Sequence, residues 1–227
     1  MNRKNYLKKR MIIGGISLAL LVVSCSQKDT MIINTVASGG NVDCLISPVE
    51  TVGEFPTRNP NMLVREDITA DRQGVPMTIN LLIANSDNNC TPIENAQVDI
   101  WYCDADGNFS EYTFNSSLHF LRGRQTTNSE GLVSFRGIFP GWFIGRAPHI
   151  YVRIYDQNDN YLTATQIAFP KDVCDTVYTT ATNFYKKGKQ DTTNENDEIF
   201  RDNITLQLGK VEGTVFNGFT LTHTIAL

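Results

Sequence analysis

Several residue patterns are missing from this sequence, and each absence excludes a class of function. No serine stands in a Gly-x-Ser-x-Gly turn, and no glycine-rich phosphate loop is present. No two cysteines have the Cys-x-x-Cys spacing that is typical of zinc sites. No stripe of lysine and arginine marks a surface for nucleic acid. The sequence therefore favours neither a serine hydrolase, a nucleotide-binding enzyme, a zinc domain nor a nucleic-acid-binding protein.

A long hydrophobic run is also lacking, because the apolar stretch from Met11 to Val23 is too short to span a bilayer. Five basic residues precede this stretch, and Ser24 and Cys25 end it. This order predicts a lipoprotein signal peptide over residues 1–24, lipidation of Cys25 and a tether over residues 25–45. An uncleaved anchor and an ordinary signal peptide are the alternatives. The predicted location is the bacterial cell envelope, on the outer membrane and exposed at the surface if the polar residues after Cys25 act as an export signal.

The net charge indicates which partners to expect. Removal of residues 1–24 takes away five of the 20 basic residues and none of the 24 acidic ones, which leaves a formal charge of −9. An acidic chain is repelled by nucleic acid and by anionic lipid headgroups. We therefore expect no nucleic-acid partner and a membrane contact only through the lipid anchor.

The cysteines beyond the predicted lipidation site are few and widely spaced. In an oxidising compartment they can form two disulfides in any of three connectivities, and buried free thiols are the alternative. The four residues are Cys44, Cys90, Cys103 and Cys174.

Short β-type runs separated by turn residues fill residues 46–227, which predicts a single all-β domain, a sandwich or barrel. The predicted runs are Val75–Ala84, Ala96–Asp104, Gly131–Ile138, His149–Asp156, Leu162–Phe169, Ile204–Val211 and Phe219–Ile225. The polar stretch from Asp172 to Phe200 is predicted to be an excursion over the surface.

The run from His149 to Tyr155 shows the clearest two-residue period. Ile150, Val152 and Ile154 fall on one face, which predicts contact with the core. His149 and Tyr151 fall on the opposite face, together with two further polar or aromatic residues. That face is where a functional site is expected.

Several ordered sequence blocks resemble the intradiol ring-cleavage dioxygenases of the protocatechuate type. The blocks lie at residues 44–48, 91–96, 99–107, 120–125 and 139–151, and the resemblance spans most of residues 44–208. It implies a β-sandwich of the intradiol dioxygenase core type and a cleft for a catechol-like ring. In this family a ferric ion is held by two tyrosinates and two histidines.

The iron ligands implied by the resemblance are mostly substituted. The two tyrosine positions fall on Phe109 and Phe143, and the histidine positions fall on His149 and Tyr151. A phenyl ring offers no lone pair, and an imidazole with a single phenol makes a poor ferric site. His149 and Tyr151 are the remaining candidate metal ligands, and a non-ligand histidine is the alternative for His149.

Other family positions are retained. Arg146 and Gln166 match an arginine and a glutamine that the resemblance places beside the reacting ring. A surface ion pair and an edge-strand amide are their ordinary alternatives. Phe109, Trp142 and Phe143 are predicted to line a substrate pocket, where aromatic rings can stack on a planar or sugar ligand.

Three functional hypotheses follow. The first is a non-catalytic envelope protein that binds a small aromatic molecule, another ligand or a protein partner, without a cofactor. The second is an active dioxygenase that uses iron(III) in an altered site. The third is a structural lipoprotein whose cleft is filled by its own phenyl rings.

Overall fold

A computed structural model describes residues 44–227. The predictions for the signal peptide, for Cys25 and for nearly all of the tether lie outside the described residues. No helix within residues 44–227 is long and apolar enough to cross a membrane.

Nine strands and one α-helix follow in chain order. The strands are β1 (Pro76–Asn85), β2 (Thr91–Pro92), β3 (Gln97–Trp101), β4 (Arg122–Thr126), β5 (Leu132–Ile138), β6 (His149–Tyr155), β7 (Tyr161–Ala168), β8 (Lys210–Thr214) and β9 (Gly218–Ala226). The helix is α1 (Lys171–Thr180). Short 3₁₀ turns lie at Pro60–Met62, Ser86–Asn88, Thr113–Asn115 and Ile204–Leu206.

The strands form two sheets. In sheet I, β1 is central: β5 and β2 pair with one of its sides, and β9 followed by β8 lies on the other. The β1–β9 pair is parallel and the other pairs are antiparallel. Sheet II has the order β4-β3-β6-β7 and is antiparallel throughout. The predicted all-β sandwich is confirmed.

Alternation of side chains along the strands builds the core between the sheets. In β1, Met77, Ile79, Leu81 and Ile83 are buried at every second position, as a two-residue period requires. They join one apolar cluster with side chains of sheet II, which include those of Ile150, Val152 and Ile154 of β6. The predicted division of β6 into two faces is therefore confirmed.

The prediction for residues 172–200 is wrong over its first third. Helix α1 lies there, and Cys174, Val177 and Tyr178 on one of its sides are buried in the main core. Spacings of three and four residues place these side chains on one helix face. Strand β8 also begins later than predicted, at Lys210, because a 3₁₀ turn occupies the residues around Ile204.

One of the two expected disulfides is present. Cys44 and Cys90 are bonded, with their Cα atoms 5.5 Å apart. Cys103 and Cys174 are buried free thiols, which contradicts the expectation of a second bridge. They pack in different apolar clusters, Cys103 beside Trp101 and Cys174 in the main core, and burial raises the pKa of the Cys103 thiol to about 12.

Candidate functional site

A row of large polar and aromatic side chains crosses sheet II on the face opposite the core. Strand register pairs Arg122 of β4 with Trp101 of β3, Trp101 with Tyr151 of β6, and Tyr151 with Gln166 of β7. Directly opposed residues in an antiparallel sheet place their side chains on the same face. The Trp101 and Tyr151 rings are stacked, with centroids 5.1 Å apart. We call these four residues the cross-strand row.

The four positions predicted from the resemblance come together beside this row. The ring centroids of Phe109 and Phe143 are 5.9 Å apart, and those of Phe109 and Tyr151 are 6.2 Å apart. The His149 and Tyr151 rings meet edge to face at 4.5 Å. Residues separated by up to 42 positions in the sequence thus form one aromatic cluster. Three of its four members have no side-chain nitrogen that could bind a metal, and two have no donor atom at all.

Arg146 connects the cluster to Gln166. Its Nη2 donates to Gln166 Oε1 at 2.6 Å and its Nη1 donates to Tyr151 Oη at 3.2 Å. Its Nε donates to Asp197 Oδ2 at 2.9 Å, and Asp197 is fully buried. The structure therefore brings Arg146, Gln166 and Tyr151 together. The Arg146 guanidinium is hydrogen-bonded to other side chains of the protein.

The protonation states of His149 and Tyr151 follow from their burial. Burial, helped by the neighbouring Arg146 charge, lowers the pKa of His149 to about 3, so its imidazole is neutral at physiological pH. Its Nδ1 bonds the Ala147 carbonyl at 2.6 Å, and its buried Nε2 has no partner within residues 44–227. Burial also raises the pKa of Tyr151, although Arg146 opposes that shift, so the phenol stays protonated.

A segment before β1 lies across the cross-strand row. Residues 50–57 cross sheet II from β7 to β4, and we call them the strap. The Glu50 amide donates to the Ala164 carbonyl of β7, at 2.8 Å. Further along, Trp101 Nε1 donates to the Glu54 carbonyl at 3.0 Å, and Arg122 Nη1 donates to the Phe55 carbonyl at 2.7 Å. The strap thus contacts β7 first, then β3 and then β4, which is the order of these strands across sheet II.

Gly53 allows the strap to approach Tyr151 closely. Its φ of +76° lies in the left-handed region, and a Cβ on this residue would overlap the Tyr151 ring. Glycine is the residue that meets both demands without steric cost. A larger residue at position 53 would lift the strap from the cross-strand row.

The ring of Phe55 packs against the aromatic cluster, next to Phe109 and Phe143. Its centroid lies 4.7 Å from that of Phe109, 5.2 Å from that of Tyr112 and 5.7 Å from that of Phe143. Phe55 has a φ of +56°, a conformation that costs a non-glycine residue about 1–2 kcal/mol. Contacts of the ring and of the backbone carbonyl must offset that cost.

Solved structures identify the fold. An intradiol ring-cleavage dioxygenase from Tetranychus urticae is similar at a TM-score of 0.72 and 27% identity, over 81% of this chain and 94% of that one. This likeness confirms the predicted β-sandwich of the intradiol dioxygenase core type. The dioxygenase domain of a dioxygenase–carbohydrate-binding fusion from Streptomyces sp. SirexAA-E shares the fold, with a TM-score of 0.59 and 23% identity over 80% of this chain and 97% of its own. No family model and no curated protein matches the sequence.

The residues at the four positions predicted from the resemblance do not fit a ferric ion. Phe109 and Phe143 supply no donor, and the protonated Tyr151 phenol already accepts a hydrogen bond from Arg146. The Phe55 ring lies against both phenylalanines. Within residues 44–227, no group of three or more histidine, cysteine, aspartate or glutamate side chains could hold a metal ion. A ferric site needs anionic ligands, which this cluster does not provide.

Trp142 was expected to line the substrate pocket, but the structure places it elsewhere. Its side chain packs against the main core, its Nε1 donates to the Gly188 carbonyl at 2.9 Å, and Lys187 Nζ lies 3.7 Å above its ring. Trp142 and its sequence neighbour Phe143 thus pack in different clusters. The prediction for Trp142 depended on the ability of an aromatic ring to stack on a planar ligand, which does not determine where the ring lies.

Two residues that matter to the site were not predicted. Phe55 and Arg122 hold the strap in place, Phe55 through its ring and Arg122 through hydrogen bonds to the Phe55 carbonyl and the Thr57 hydroxyl. Arg122 is 1% exposed, and burial lowers its pKa to about 10. A Gly-x-Phe-Pro sequence within a polar stretch is the only local signal that could have drawn attention to the strap.

Proposed function

We propose that this chain is a catalytically silent member of the intradiol ring-cleavage dioxygenase family that acts by binding at the bacterial cell envelope. The family fold is kept, whereas the aromatic cluster lacks the donor atoms that iron chemistry requires. Arg146 and Gln166, the two retained pocket residues, are hydrogen-bonded to each other. In this proposal they hold the cleft in shape and do not act on a substrate.

The position of the Phe55 ring carries this proposal. A cleft that served only to hold iron would be expected to collapse once its ligands were lost, because cores do not keep voids. Here it is filled by an aromatic side chain from the strap, with three ring contacts under 6 Å. Such a filled cleft supports a recognition or structural role and offers no open coordination position.

Iron content tests the absence of catalysis. The mature chain, refolded with ferric salt, is expected to retain less than about one iron atom per ten chains, because two neutral ligands bind Fe(III) weakly. Elemental analysis measures this value, and the visible spectrum should lack a tyrosinate-to-iron band. About one iron per chain would overturn the proposal. The buried Nε2 of His149 would then be the first ligand to test, by His149→Phe.

Lipid attachment through Cys25 is a separate part of the proposal. It is supported by the sequence before this cysteine, in which basic residues are followed by an apolar stretch and then by a small residue. The full-length chain is expected to sediment with membranes and to partition into detergent, whereas Cys25→Ser should lose the acyl chains and partition into the aqueous phase. Equal detergent partition of the two chains would contradict lipidation. Mass spectrometry of the N-terminal peptide provides the direct check.

A further inference from the structure

The strap contacts sheet II as a bound peptide does. Its backbone carbonyls at three consecutive residues each accept a hydrogen bond from a side chain of the sandwich. Trp101 Nε1 bonds the Glu54 carbonyl, Arg122 Nη1 bonds the Phe55 carbonyl and Tyr112 Oη bonds the Pro56 carbonyl, at 3.0, 2.7 and 2.7 Å. Backbone contacts of this kind provide affinity without reading the sequence of the segment.

Specificity in this arrangement comes from one side chain. The Phe55 ring enters the cluster of Phe109, Tyr112 and Phe143, whereas the preceding Glu54 side chain is exposed. The next residue, Pro56, fixes its own φ and disfavours helical backbone at position 55. The surface thus holds a segment with an aromatic residue followed by proline.

The strap is held close to its site, yet it binds in a strained form. The Cys44–Cys90 disulfide anchors the chain before it, and the Arg58 amide is bonded to Glu111 Oε2 at 2.8 Å after it. A segment tethered at both ends has a high effective concentration at its site. The left-handed backbone of Phe55 works against this advantage, so an untethered segment that fits without strain can compete.

We propose that the cross-strand row and the Phe109–Tyr112–Phe143 cluster form a peptide-docking surface, which the strap occupies in the absence of a partner. The partner is a peptide that carries an aromatic residue followed by proline. It displaces residues 53–56 and places its own ring in the cluster. This inference rests on the proposed function, because a ferric ion would need the same space.

Trans-complementation tests the docking surface. The probe is a fluorescent peptide with the sequence of residues 52–59, and the protein is the full chain in detergent, either unchanged or carrying Phe55→Ala. We expect the variant to bind this peptide saturably and at least about tenfold more tightly than the unchanged chain does, because the competing ring has been removed. Fluorescence anisotropy measures both affinities.

Matched peptides separate recognition of the ring from recognition of the backbone. The same peptide with alanine in place of its phenylalanine, and N-acetylphenylalanine amide alone, should each bind the variant at least about tenfold more weakly. Equal affinity for the alanine peptide, or for the single amino-acid amide, would overturn the proposal. Absence of peptide binding to a folded variant would overturn it as well.

A second variant covers the case in which Phe55→Ala does not fold. Phe55→Leu keeps an apolar side chain in the cluster but fills it poorly, so it should still take up the peptide several-fold better than the unchanged chain. If neither variant shows this gain, the proposal fails. Iron is measured in the same samples, so that a failure of the iron-free assignment is distinguished from a failure of peptide docking.

Discussion

Replacing Phe109 and Phe143 with tyrosine and Tyr151 with histidine is expected to give a chain that binds ferric ion and becomes coloured. These changes supply the two phenolates and the second imidazole that the family resemblance assigns to these positions. The four rings already contact one another, and the buried Nε2 of His149 has no partner within the described residues. This cluster lacks donor atoms, and the Phe55 ring lies against two of the positions where they would be introduced.

Elemental analysis and the visible absorption spectrum measure this gain of iron. The matched control is the same triple variant with phenylalanine in place of His149, which keeps a ring at that position but removes one imidazole. Because the Phe55 ring lies against both substituted phenylalanines, adding Phe55→Ala is expected to raise the iron content further. A colourless, iron-free protein in both backgrounds would show that the cluster geometry has diverged along with the ligands.

Replacing Asp197 with asparagine is expected to lower the free energy of unfolding by about 3 kcal/mol at pH 7. Asp197 is fully buried and accepts hydrogen bonds from Arg146 Nε, the Ala147 amide and the Ile199 amide, at 2.9, 2.7 and 2.9 Å. The substitution leaves the Arg146 charge without its counter-ion. Glu198→Gln removes the same charge at the adjacent exposed position and should change stability little.

The effect of this substitution should depend on pH. Burial raises the pKa of Asp197, but the hydrogen bonds from Arg146 and the two amides outweigh it, and the net shift is downward. A carboxylate with a lowered folded-state pKa stabilises the protein above its unfolded-state pKa of about 4, and this contribution is lost as the pH falls through the folded value. Urea unfolding of Asp197→Asn and the unchanged chain should therefore converge in acid. A constant difference across the whole pH range would contradict this account.

The sandwich could be predicted because the alternation of side chains along its strands is visible in the sequence. Alternation in β1 and β6 arises from side chains that meet the core at every second residue, and such patterns are visible without tertiary information. Helix α1 lacks a comparable signal. It is rich in threonine and aspartate, and its three buried residues are too few to outweigh that composition.

The site was predictable only in part, for a physical reason. Family blocks located Phe109, Phe143, His149 and Tyr151, and the structure brings these residues into contact. The strap was not predictable, since residues 50–57 have no periodicity and are held by contacts with residues more than 40 positions away. The left-handed conformation of Phe55 is likewise set by docking and not by local preference.

The Cys44–Cys90 bond has a mechanical consequence. A pulling force on the chain before Cys44 passes through the disulfide to the end of β1, where the Cys90 amide is bonded to the Asn85 carbonyl. Residues 45–89 form a closed covalent loop, and the strap lies within it. Tension on the upstream chain is therefore not transmitted to the strap and cannot detach it from sheet II. Release of the strap then depends on a competing segment that binds the same surface.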